Sequence, residues 1–217
     1  MNTDALLGPL LLAAVSVPAL VASDWRQWRT GRFLFKPLSA LAFLWLAVVA
    51  GALDSRYGQW LFAGLVASAA GDLLLMPDNR ATFLAGLSAF LCGHLLYGIA
   101  FVSVGGSTEA MLIGAVPAII LAVLSTRWLL PHLDRQMKLP VLAYIGVIAG
   151  MLVCAAGTWT QPVALLAVTG AWGFALSDLA VARQQFVTTS RVNPLWGTPL
   201  YFCAQLLLAA SVLTLPA

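Results

Sequence analysis

GDLLLMPDNRATFLAGLSAFLCGHLLYG, residues 71–98, decides how this chain is read. Two apolar runs flank a short polar break, Pro77 to Arg80, and each carries one ionisable group, Asp72 in the first and His94 in the second. An Asp at the centre of a spanning helix costs roughly 2.5–3.5 kcal/mol on insertion scales, so a charge at that depth points to function. A second acidic helix follows a hundred residues on, where GAWGFALSDLAVARQQF (170–186) carries Asp178 in a similar frame.

The surrounding composition fits a membrane. Of 217 residues, 61% are hydrophobic and 9% charged, against about a quarter charged in soluble domains, and the mean hydropathy is +0.94. Eight Trp and four Tyr, many near the ends of apolar runs, suit the interfacial aromatic belts of membrane proteins. Cys92, Cys154 and Cys203 lie in apolar runs without metal-ligand spacing and read as core residues. The net charge of +3 is carried in short polar segments and implies no nucleic acid partner.

At about 20 apolar residues per crossing, the sequence predicts one domain over 1–217 with eight spans, near 5–23, 37–53, 58–76, 82–103, 109–126, 140–157, 162–182 and 197–215. The N-terminal run lacks a basic leader and is taken as the first span. Ten of the 11 basic residues then fall in odd-numbered loops, and only Arg56 falls on the other side. The positive-inside rule puts those loops in the cytoplasm and both termini outside. The expectation is an all-α polytopic bundle in a bacterial inner membrane or its equivalent, because backbone groups in lipid must be satisfied within the segment.

Within that frame, Pro37 and Pro140 are expected to begin spans, where a missing N–H is harmless, and Pro117 to kink the fifth. The segment Thr188 to Pro199 reads as the longest cytoplasmic loop. Gly146 with Gly150, and Gly64 with Ser68, read as close-packing faces. SAAGDLLLM resembles FALSDLAVA four spans later in the same orientation, which hints at two parallel four-helix halves.

Asp72 and Asp178 fall at similar depth, about one turn from the cytoplasmic ends of spans three and seven. Phe90, Gly93, His94 and Tyr97 share one face of span four by i, i+3, i+4, i+7 spacing, with His94 deeper than either Asp. Lys36, Tyr144, Tyr201 and Gln205 gather on the same half. Lys36 reads equally as a snorkelling anchor or as a contact for a headgroup phosphate. Arg183, five residues past Asp178, is a boundary charge or a tether.

Two carboxylates sharing a low-dielectric site cannot both ionise cheaply, so a protonated and an ionised acid coexist there. That state suits acid–base hydrolysis through an oxocarbenium-like ion. A lipid or small-molecule transporter coupling protons through the same aspartates is the rival class. It is disfavoured by acids near one face, since transporter sites lie at the midplane. Two His, with His132 in a loop, are too few for a zinc hydrolase, and no HExxH, GxSxG or P-loop pattern occurs. Ser177 beside Asp178 has no His placed to make a triad.

Lys36-Pro37, then GDLLLM with Phe83, Gly86, Leu87, Phe90, His94 and Tyr97, then Tyr144, then Gly170, Ala171, Phe174, Ser177 and Asp178, and finally Tyr201 and Gln205 resemble the YhhN family, which includes lysoplasmalogenases of animal membranes and bacteria. The resemblance covers nearly the whole chain. It implies an ether hydrolase that cleaves the vinyl ether bond of a lysoplasmalogen, a lysophospholipid drawn from the bilayer, to a fatty aldehyde and a glycerophospho-headgroup. No cofactor and no metal are implied. The catalytic residues would be Asp72 and Asp178 with His94 and Tyr97. The substrate-binding residues would be Lys36, Tyr144, Ser177, Tyr201, Gln205 and Asn79, Lys36 meeting the phosphate.

Overall fold

The computed structural model describes residues 4–215. Among them the chain is all-helical, without strands. Its long helices are α1 (Asp4–Trp25), α2 (Arg29–Val49), α3 (Arg56–Leu74), α4 (Arg80–Ser103), α5 (Thr108–Leu129), α6 (Arg135–Gly157), α7 (Ala164–Ala182) and α8 (Val192–Ser211). Short 3₁₀ turns follow α5, α6 and α8, and a π turn over Arg183–Val187 extends α7. Seven of these helices are long and apolar enough to cross a membrane, so this is a multi-pass integral membrane protein. The exception is α3, which carries Arg56, Gln59 and Asp72 among many small residues. The expected count of eight therefore meets seven, and the termini whose sidedness was expected lie outside the described residues.

Neighbours in sequence pair in space, α1 with α2, α3 with α4, α5 with α6 and α7 with α8, and the halves are joined by α2 against α8 and α4 against α6. The core runs through the middle of this arrangement on Phe43, Leu61, Leu65, Tyr97, Phe101, Phe174 and Phe202, all essentially inaccessible to solvent. Lipid-facing positions, including Leu112, Ile113, Leu139 and Leu165, stay exposed.

Several boundaries differ from the sequence expectation, each for a local reason. Pro37 lies inside α2, which begins two turns earlier at Arg29, because Arg29, Arg32 and Lys36 recur on one helical face with Phe33 and Phe35 between them. Pro140 is likewise inside α6. There the Asp134 carboxylate accepts from the Met137 N–H at 2.8 Å, a cap that fixes the start upstream of the apolar run. The loop expected over 188–199 shrinks to 188–191, since α8 starts at Val192. Asn193 is held in its first turn by bonds to Arg183 (2.6 Å), Gln184 (2.7 Å) and the Thr188 carbonyl (2.9 Å). Arg183 is thus tethered to Asn193 and not to Asp178. Pro117 sits within a continuous α5.

The two small-residue pairs part company. A Cβ on Gly64 would collide with the Tyr97 ring, which makes the α3–α4 contact a close approach of backbones. Gly146 and Gly150 have nothing within reach of a Cβ and border a shallow groove with Leu95, Gly98 and Val102 of α4. Periodicity announces a smooth face without saying whether another helix covers it. Gly64→Ala should therefore overpack the α3–α4 seam and destabilise the protein by about 1–3 kcal/mol. Gly146→Ala should leave the thermal unfolding midpoint in detergent unchanged, and side-by-side melts of the two variants test the contrast.

Candidate active site

α1, α3, α5 and α7 end, and α2, α4, α6 and α8 begin, at the end of the bundle that carries all the basic residues except Arg56. A cavity of about 330 Å³ opens there. Asp72, Asp178, Lys36, Tyr144, Ser177 and Tyr201 all line it. Its lining includes the polar side chains Asp24, Arg32, Lys36 and Asn193 and the apolar side chains Leu87, Leu121, Ile145 and Ile148.

Asp72 is the more enclosed acid. Its Oδ1 lies 3.2 Å from Lys36 Nζ, with the two side chains 3% and 15% exposed, and its Oδ2 accepts from the Tyr201 hydroxyl at 2.7 Å. A buried carboxylate met by an ammonium and a phenol has the partners its charged form needs. This pairing was not foreseen, because Lys36 is separated from Asp72 by a whole helix and reads in sequence as a boundary charge.

Asp178 has different company. Tyr144 donates to Oδ2 at 2.9 Å, and His94 Nε2 approaches the same oxygen at 3.4 Å. That second contact satisfies an ion-pair distance without hydrogen-bond geometry, and Nε2 has no other partner. The tautomer follows from the far side of the ring, where Nδ1 is 2.7 Å from the Phe90 carbonyl. A carbonyl only accepts, so Nδ1 carries a proton, and in the neutral ring Nε2 presents its lone pair to Asp178. Phe174 stacks on the imidazole, with centroids 4.1 Å apart, and holds its plane. Phe174 stood in the sequence motif four residues before Asp178, without an assigned purpose.

The two acids occupy equivalent places in the two halves. Asp72 on α3 is met from α2 of its own half and α8 of the other, and Asp178 on α7 is met from α6 of its own half and α4 of the other. Each half, α1–α4 and α5–α8, lends its fourth helix across the centre.

The remaining candidates lie elsewhere. Tyr97 donates to Gln205 Oε1 at 2.6 Å and meets Ser68 Oγ at 3.2 Å, and neither Tyr97 nor Gln205 lines the cavity. They form a buried polar seam between α3, α4 and α8. Asn79 is outside the cavity lining too, and its side chain caps α4 by accepting from the Thr82 N–H at 3.0 Å. Ser177 borders the cavity but donates to the Phe174 carbonyl at 2.7 Å. Among the described residues no three metal-ligating side chains come together.

The sequence model of the YhhN family matches residues 31–212. The chain belongs to the YhhN family. Relatives within reach include the human lysoplasmalogenase TMEM86B, 33% identical over 97% of this chain and 87% of its own length. Cattle lysoplasmalogenase TMEM86A is 32% identical over 70% of this chain, which spans 64% of that protein. A Mycobacterium tuberculosis lysoplasmalogenase is 30% identical over 83% of this chain and 71% of its own length. No solved structure matches. The family match spans both acidic helices, Lys36, and the two tyrosines that address the acids.

If Lys36 and Asp72 form one buried pair, removing the ammonium alone leaves an uncompensated charge, at a cost of about 3–5 kcal/mol. Lys36→Met should therefore lower the unfolding midpoint in detergent, and the double variant Lys36→Met with Asp72→Asn should recover most of that loss. Equal midpoints for the single and double variants would mean that the pair does not form.

Proposed function

We propose that this protein is a membrane-embedded ether hydrolase acting on the vinyl ether bond of a lysoplasmalogen-type lysolipid, with Asp178 as proton donor and Asp72 as base. The observation that carries the reading is that two carboxylates with contrasting partners face one cavity lined by both charged and apolar side chains. A lysolipid has one chain for the apolar lining and one headgroup for the charged side chains. The printed names of the family relatives support the same reaction class.

With His94 neutral, Asp178 has no cation beside it, and the Nε2 lone pair favours a proton on the facing carboxyl. Tyr144 and His94 both address Oδ2, which leaves Oδ1 without a protein partner among the described residues. Asp72, held by Lys36 and Tyr201, is the ionised member. In the reaction Asp178 gives its proton to the vinyl carbon remote from oxygen, and the adjoining carbon becomes an oxocarbenium ion. Asp72 faces that cation and takes a proton from the water that adds to it. The hemiacetal hydroxyl then gives its proton to Asp178 as the bond to the glycerol oxygen breaks and Asp72 returns its proton to that leaving oxygen, so the products are a fatty aldehyde and the glycerophospho-headgroup and both acids regain their starting states. In this reading Lys36 is the counter-ion of Asp72, and Tyr97 and Gln205 support the site from below.

The span count and sidedness belong to the same proposal. α3 crosses as an eighth span, with Asp72 buried against its neighbours and the exposed Arg56 and Gln59 confined to its first turn, the basic end faces the cytoplasm, and both termini face outward. The lysolipid then enters from the inner leaflet. Reporter fusions at either terminus should be active only in the form that works outside the cytoplasm.

Purified protein should release aldehyde from a 1-alkenyl lysophospholipid and spare the saturated 1-alkyl analogue, which cannot be protonated to an oxocarbenium ion. Cleavage of both, or of neither, would end this assignment. Tyr144→Phe removes a donor to the acid without removing the acid, and should lower kcat by about 10-fold, less than the roughly 10²–10⁴-fold that the acid itself contributes.

A further inference from the structure

The lining of the cavity includes an ion pair, Asp24 with Arg32, that the reaction above does not use. Arg32 lies one turn before Lys36 on the same face of α2, and Asp24 lies in the last turn of α1; both line the cavity. The turn between them is fixed. Gln27 takes a left-handed conformation at φ 56°, and the Trp28 N–H donates back to the Ser23 carbonyl at 2.8 Å, the geometry of a Schellman stop. Asp24 and Arg32 are therefore held at the rim by the backbone.

Their contact with each other is loose. Arg32 Nε is 3.7 Å from Asp24 Oδ1, with the two side chains 43% and 16% exposed. No side-chain hydrogen bond among the described residues engages the terminal guanidinium nitrogens. Lys36, by contrast, is committed to Asp72 and is 15% exposed. Of these two cations, Arg32 is the more exposed and the one not held by a buried acid, and its planar fork matches two phosphate oxygens at once.

We propose that Arg32 and Asp24 together form the headgroup site, Arg32 taking the phosphate and Asp24 the ammonium of a zwitterionic phosphodiester lysolipid. The inference rests on the hydrolase reading for the identity of the ligand as a lysolipid. Adjacent opposite charges complement a headgroup that carries opposite charges a few ångströms apart, and the net charge of the rim is balanced before and after binding. An anionic phosphate monoester satisfies Arg32 and leaves Asp24 facing a like charge, so this pair selects the zwitterion. Exchange of the loose protein ion pair for two ligand contacts also keeps both charges paired throughout.

The test uses full-length protein in detergent with saturated 1-alkyl ligands that are not hydrolysed, read by the ligand-induced rise in unfolding midpoint. Three ligands of one chain length are compared: 1-alkyl-lysophosphoethanolamine, 1-alkyl-lysophosphatidic acid and 1-alkylglycerol. Wild type should bind the first at least 10-fold more tightly than the third. Arg32→Ala should lose that preference and leave alkylglycerol binding unchanged, Arg32→Lys should restore part of it, and Asp24→Asn should narrow the gap between the phosphoethanolamine and phosphatidic acid ligands. Wild type binding all three alike would overturn the proposal without any variant having to fold. An equal loss for all three ligands in Arg32→Ala would overturn it too, since that is a damaged cavity. If vinyl ether hydrolysis is absent but this discrimination persists, the hydrolase reading falls and the headgroup site stands. Hydrolysis without discrimination gives the reverse result.

Discussion

A carboxylate at the level of Asp72, 3% exposed and among apolar helices, persists as a charge only if something meets it. Lys36 Nζ at 3.2 Å and the Tyr201 hydroxyl at 2.7 Å do so, and much of the fold is arranged to bring them there. α2 must start early enough to place Lys36 within the helix, α8 must cross from the other half, and α3 must sit centrally despite being the least apolar long helix. An uncompensated charge in this position would cost several kcal/mol, comparable with a large part of a domain's net stability.

The same constraint separates the two acids. Asp72 receives a cation, and Asp178 receives a phenol and an imidazole whose proton is already committed to a backbone carbonyl. The two acidic helices thus carry the same side chain in unlike surroundings. Unlike surroundings are what an acid and a base require of otherwise identical side chains.

Much of the architecture could be read from the chain. Hydropathy gave the helical bundle, and the cost of burying charge singled out Asp72, Asp178 and His94 before any geometry. The failures are instructive in physical terms. Arg29, Arg32 and Lys36 looked like loop charges because span finding rewards apolarity, whereas helix formation continues through amphipathic turns. Gly146 and Gly150 looked like a packing seam because spacing says nothing about what lies opposite. The Lys36–Asp72 and Tyr144–Asp178 pairs link different helices, and no local pattern encodes which faces meet. The side chain of Asn79 caps α4 and that of Tyr97 bonds Gln205 and Ser68, contacts that a shared helical face does not encode.

The central claim is that Asp72 and Asp178 act as one unit on one substrate. The most direct measurement is the rate of aldehyde release from a 1-alkenyl lysophospholipid for Asp72→Asn, Asp178→Asn and the double variant at matched folded yield. Each single change should lower kcat by about 10²–10⁴, and the double should be no slower than the worse single, as residues acting as a unit are non-additive. Near-normal rates in either single variant, or losses that multiply in the double, would contradict the account.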